Sequence, residues 1–165
     1  MTTRPCLRSL FAKSGGFTLI ELMITIAVLA ILLAFAVPSF QTLITNMTIT
    51  SAANEITAAL QQTRMEAIRR NRSVTFHLDT NRQWTIYVDI NGDGAYTSED
   101  DLIRQGSYEA RVGAPGTAMN VVYTSLGTGT ATSVCLAVSG QASSRLITIE
   151  ASGRPMVETK GADCS

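Results

Sequence analysis

The sequence predicts an α+β protein, and three observations carry the prediction. An apolar run extends from Phe17 to Val37, a helical apolar period continues from there to about Arg70, and after Arg72 the period changes to two. One long helix comes first and only strands follow it. That order implies an antiparallel sheet, or two small sheets, packed against one face of the helix.

The helix begins behind a basic leader. Residues 1–16 hold Arg4, Arg8 and Lys13 and no acid, and they end in Gly15-Gly16. From Phe17 to Val37 there are 21 residues with a single charge, Glu21. At 1.5 Å per residue such a helix spans roughly 30 Å, one hydrocarbon core. The leader cations favour a cytoplasmic N-terminus, which sends the rest of the chain to the other side. Glu21 is expensive at membrane depth, about 2.5–3.5 kcal/mol on insertion scales, so a function is expected for it. A secretory signal peptide fits part of the pattern, with Ala34-Phe35-Ala36 as its cleavage site. A plain single-pass anchor fits part of it too. Neither explains Glu21.

Beyond the run, Pro38 is expected to kink or open the helix. Phe40, Leu43 and Met47, then Ala52, Ala53, Ile56, Ala59 and Leu60, recur at spacings of three and four. This second half needs a domain to cover one face. Arg64, Arg69, Arg70 and Arg72 gather at its end, where cations complement the helix dipole; a polyanion patch is the other reading.

Strands follow. Val74, Phe76 and Leu78 alternate, as do Trp84, Ile86, Val88 and Ile90, with Thr80-Asn81-Arg82 as the turn between. Further strands are expected at Asp101–Gln105, Met119–Thr124, Ser133–Val138 and Arg145–Ala151, separated by Gly/Ser/Thr-rich pieces. His77, the one histidine, is out of phase with Phe76 and Leu78 and is expected to face solvent. No nucleophile–base pair, paired carboxylates or cysteine–histidine metal set is evident in the sequence, so an enzyme has no positive support.

Charge and cysteine count bound the function. The whole chain is neutral, but without residues 1–16 it has 10 basic and 13 acidic residues, a net charge of −3. Bulk charge therefore argues against a nucleic-acid binder. Of the cysteines at 6, 135 and 164, a cut after Gly16 removes Cys6 and leaves a pair. Cys135–Cys164 bonding fits an oxidising compartment; free thiols in a reducing one are the alternative.

Gly16-Phe17-Thr18-Leu19-Ile20-Glu21-Leu22 resembles the leader junction of type IV pilins and type II secretion pseudopilins. The resemblance implies that a prepilin peptidase cuts between Gly16 and Phe17 and N-methylates Phe17. It also implies a bacterial inner-membrane protein with its C-terminal domain in the periplasm. Its partners would be other pilins or pseudopilins, membrane lipid before assembly, and an inner-membrane assembly platform. The expected divisions are a leader at 1–16, a membrane and assembly helix at 17–38, an amphipathic helix at 39–72 and a β-rich domain at 73–165. On this view the Phe17 amine made by cleavage pairs with Glu21 of a neighbouring subunit.

The later part is similar to the GspH/FimT group of minor pilins and pseudopilins. Its markers are the arginines ahead of the first strand, Trp84 before Tyr87-Val88-Asp89, an Asp/Asn/Gly-rich turn, and Gly153-Arg154. The resemblance implies a pilin-like fold and a structural role near a filament tip, where assembly is primed. A Cys135–Cys164 pair leans by resemblance toward the pilus branch.

Two ligand sites are to be weighed. Asp89, Asn91 and Asp93 stand at positions 1, 3 and 5 of a calcium-loop pattern with glycine at position 6, and Asp100 closes it where glutamate is usual. A polar hairpin turn explains the same residues. Gly153-Arg154-Pro155-Met156 resembles the tail motif of DNA-binding FimT-type pilins, but Met156 stands where a second basic residue belongs. Arg154 and Lys160 remain as DNA contacts. A calcium-dependent or adhesive secreted domain, released by signal cleavage after Ala36, is the third class of function.

Overall fold

The computed structural model describes residues 16–164, so the leader cations and Cys6 lie outside the described residues. The described elements are helix α1 (Leu19–Arg70), strands β1 (Val74–Leu78), β2 (Gln83–Val88), β3 (Asp101–Ser107), β4 (Met119–Tyr123), β5 (Thr132–Leu136), β6 (Ser144–Ile149) and β7 (Pro155–Lys160), and a 3-10 turn at Ala162–Cys164. The chain divides into two units, residues 1–40 and 41–165.

In the first unit, the helix surface from Leu19 to Val37 is exposed throughout. Among the described residues, α1 is the one helix long and apolar enough to cross a membrane. The helix continues through Pro38 rather than ending there. Thr18 caps its start: the Glu21 amide donates to Thr18 Oγ1 at 3.2 Å. The Thr18-x-x-Glu21 spacing is that of a capping box.

In the second unit, Ile49, Ala52, Ala53, Ile56, Ala59, Leu60 and Ala67 form the buried stripe of α1. Four of the seven are alanines, which let strands approach the helix backbone closely. Threonines in this stretch return their hydroxyls to carbonyls four residues back, as Thr63 does to Ala59 at 2.7 Å. The helix stops at Asn71, whose φ of 51° and the Arg72 amide bond to Ala67 O make a left-handed cap. Leu43 and Met47 correct the expected stripe: they are 52% and 64% exposed, because the domain's core begins only at Ile49. Phe40 is exposed as well.

The strands form two antiparallel sheets. The first has the order β3-β2-β1-β4 and the second β5-β6-β7. β1 is central, so Val74, Thr75, Phe76 and Leu78 are all buried. The β1–β2 turn is held by Asp79, whose Oδ1 accepts the Asn81 and Gln83 amides, with Arg82 at φ 68°. His77 is only half-buried and pairs with Asn120 on β4, on the face away from the helix. The six expected strands are present with ends shifted by one or two residues. β7 is an addition: it starts on a proline and alternates little, which an edge strand tolerates. Trp84 ties the first sheet to α1 through its indole Nε1, which donates to Glu55 at 2.9 Å.

Candidate functional site

The N-terminal junction is the feature with chemical consequence. Gly16, Phe17 and Thr18 are non-helical, and helix begins at Leu19. Among the described residues, nothing lies within 4 Å of where a Gly16 Cβ would be, and Phe17 is 82% exposed. The bond between them is therefore reachable by a protease. Glu21 sits in the first turn, exposed, where the positive end of the helix dipole favours a carboxylate. The cap from Thr18 was readable in the sequence from its spacing to Glu21. The cap uses the Glu21 amide, and the helix dipole gives the carboxylate a local role alongside any role in assembly.

The loop from Asp89 to Asp100 satisfies itself. Asp89 accepts the Gly92 amide at 2.6 Å and the Gly94 amide at 2.9 Å; Asn91 accepts from Asp93 N and Asp93 from Ala95 N. Gly92 and Gly94 have φ of 77° and 76°, which this winding needs. Asp100 accepts the amides of Ile90 and Thr97 at 2.9 and 2.7 Å, and these hold its carboxyl below the usual carboxylate range. The loop also has a packing duty. Tyr87 donates its hydroxyl to Gly94 O, Tyr96 lies 5.4 Å from the Tyr87 ring, and Tyr87 becomes fully buried. Burial, then the Asp89, Asp100 and Asp93 charges, push the Tyr87 phenol up to about 12. Among the described residues no three His, Cys, Asp or Glu side chains form a metal-holding group.

The basic residues separate into tied and free. Glu66 takes Arg69 at 2.6 Å and Arg70 at 2.9 Å, and Arg70 also meets Asp101. The two arginines hold the Glu66 carboxyl below its ordinary value. Lys160 pairs with Glu158 at 2.9 Å. Arg154 is exposed in the β6–β7 turn and makes no ion pair among the described residues. That turn is built by glycines at closest approach. A Cβ on Gly153 would lie 2.2 Å from Gly127 O, and one on Gly129 would lie 3.0 Å from the Tyr123 ring. Arg64 reaches the same knot, where its Nε and the Tyr123 hydroxyl are buried without hydrogen-bond partners among the described residues. Burial pushes the Tyr123 phenol up to about 12, opposed by the Arg64 charge.

Cys135 and Cys164 are bonded, with Cα atoms 6.0 Å apart. Ser144, buried beneath, donates to Gly161 O at 2.6 Å and accepts the Cys164 amide at 3.0 Å. The bond fixes the final turn to β5 across 29 residues.

A long N-terminal helix, apolar in its first half, followed by two antiparallel sheets is a pilin-like fold. Residues 11–37 match the prokaryotic N-terminal methylation motif. Residues 52–153 match the family model of type II transport protein GspH, and the chain belongs to that family. Among solved structures, the type IV minor pilin FimU of Pseudomonas aeruginosa PAO1 is similar in two crystal forms, each 22% identical. Its TM-scores are 0.55 and 0.57, covering 70% of this chain and 98% and 93% of FimU. The minor pseudopilin EpsH from the type 2 secretion system of Vibrio cholerae is 15% identical, with a TM-score of 0.50 over 69% of this chain and 97% of EpsH. At these identities the likeness concerns the fold. No curated protein matches the chain.

Proposed function

We propose that the protein is a minor subunit of a type II secretion pseudopilus or a type IV pilus, placed near the filament tip to prime assembly. A prepilin peptidase cuts between Gly16 and Phe17 and methylates the new amine, and the domain faces the periplasm. Glu21 then pairs with the Phe17 amine of a neighbour and draws the subunit from the bilayer in one axial register. The observation that carries this reading is an exposed junction placed directly before a membrane-length helix with a carboxylate in its first turn. N-terminal sequencing of the mature protein tests the cut: methyl-Phe17 supports it and Val37 overturns it. Glu21→Val tests the pairing: insertion and cleavage persist and filament incorporation is lost. Normal incorporation removes the pairing.

DNA binding is a second proposal, favoured by the exposed and unpaired Arg154. It is checked by gel shift at two salt concentrations, because phosphate contacts weaken steeply with salt. Calcium at Asp89, Asn91 and Asp93 is a third. The loop amides that these side chains already accept weigh against it. Titration calorimetry on the mature chain decides it: heat that is lost in Asp89→Asn supports those ligands, and no heat removes them.

A further inference from the structure

We propose that Arg111, in a cleft with Gln41, Ile44, Thr45 and Gln141, binds the phosphate of an anionic phospholipid headgroup while the subunit waits in the membrane. The inference rests on the anchored reading above.

The cleft has a volume of about 330 Å³ and lies where the chain leaves the apolar run. Three residues separate Val37 from Gln41, so four backbone steps can carry Gln41 no more than about 14 Å from the end of that run in any conformation. The headgroup layer of one leaflet is about 5–8 Å thick. The cleft that Gln41 shares with Arg111 is therefore tethered close to the layer of lipid phosphates.

Its presentation is rigid. Tyr108 and Val112, both buried, pin the turn on either side of it. Tyr108 Oη donates to Gly113 O, and the Gly113 amide donates to Ala137 O at 2.7 Å. Arg111 itself is exposed. Among the described residues neither Arg111 nor Arg145 has an ion pair; Arg145, on the other flank of α1, donates to Thr50 Oγ1. Glu109 is the acid nearest to Arg111 in sequence and makes no ion pair with it. The acids concentrate elsewhere, in the loop from Asp89 to Asp101, which the Arg70–Asp101 pair holds at the opposite end of the domain's helix.

Ile44 in the cleft is 48% exposed, and Leu43 and Met47 beside it are more so. Apolar side chains next to a free guanidinium suit the boundary between acyl chains and phosphates. The side-chain amides of Gln41 and Gln141 can donate to a phosphodiester, and Thr45, whose hydroxyl donates to Gln41 O at 2.9 Å, completes the polar lining.

The test uses the mature full chain in nanodiscs of phosphatidylcholine, with or without one-third phosphatidylglycerol. A dye on Ser139→Cys reports approach to a headgroup-linked quencher, and co-elution with the discs verifies anchoring. Quenching is expected to strengthen with phosphatidylglycerol, to fall in high salt, to drop about fivefold in apparent lipid affinity in Arg111→Gln, and to survive in Arg111→Lys. Equal quenching in both lipid compositions overturns the proposal, as does a phosphatidylglycerol response unchanged in Arg111→Gln. If Arg111→Gln keeps the lipid response and loses filament incorporation instead, the cleft serves a subunit and the lipid proposal fails. A chain that does not stay in the discs refutes the anchored reading and this proposal with it. Methylation at Phe17 reads out separately, so the two failures are distinguishable.

Discussion

The indole nitrogen of Trp84 donates to the carboxylate of Glu55 at 2.9 Å, and this bond joins β2 to α1. Arg104 stacks over the same indole, 5.6 Å from its ring, and Gly106 leaves room for its edge, since a Cβ there would fall 2.4 Å from the ring. Helix, β2 and β3 thus meet at one side chain. Glu55→Ala strands a largely buried N–H donor and is expected to cost about 1–3 kcal/mol. Glu55→Gln keeps an acceptor and should recover most of it. Thermal melts of the two variants check the ranking.

Gly153 and Gly127 make a second comparison. Both have positive φ, so alanine at either costs about 1–2 kcal/mol in backbone strain. A Cβ on Gly127 meets chiefly the flexible end of Ile68 at 2.9 Å, whereas a Cβ on Gly153 meets the Gly127 carbonyl oxygen. Gly153→Ala should therefore lower the melting temperature more than Gly127→Ala. The reverse order would show that the knot relaxes.

Reducing the Cys135–Cys164 bond frees a loop spanning 29 residues. A loss of about 3–4 kcal/mol is expected on the chain-entropy account. Denaturant unfolding with and without reductant, with Cys164→Ser as the genetic equivalent, measures it.

Asp100 gives a pH signature. Its folded-state carboxyl is held below the usual range by the Ile90 and Thr97 amides. A depressed carboxyl stabilises the fold above its unfolded value, about 3.9, and that stability is lost as pH falls through the folded value. Asp100→Asn should thus be less stable than the parent at pH 7, with the gap closing below about pH 4. Melts across that range test the sign.

The features legible in the sequence were those with a local period. The stripe from Ala52 to Leu60 and the alternation of β1 and β2 announce themselves at three to four residues and at two. Period alone did not say where cover begins, so Leu43 and Met47 looked like core until the domain was seen to start at Ile49. β7 hid because Pro155, Glu158 and Lys160 have the composition of a loop, and only pairing with β6 makes it a strand. The approach of Gly127, Gly129 and Gly153 around Tyr123 is a tertiary fact with no local sign. The junction at Gly16–Phe17 and the carboxylate at Glu21 were legible because they are linear. The cleft around Arg111 was not, because Gln41, Arg111 and Gln141 are far apart in the chain.

The Thr18 cap has a consequence for processing. Because the helix is closed at Thr18, the Gly16–Phe17 bond lies in backbone that is already free of helical hydrogen bonds. A peptidase can draw that bond into an extended cleft without unwinding a turn. On the proposed cut, the Thr18 cap would stay with the helix, so maturation would change the charge at the terminus and leave the first turn closed.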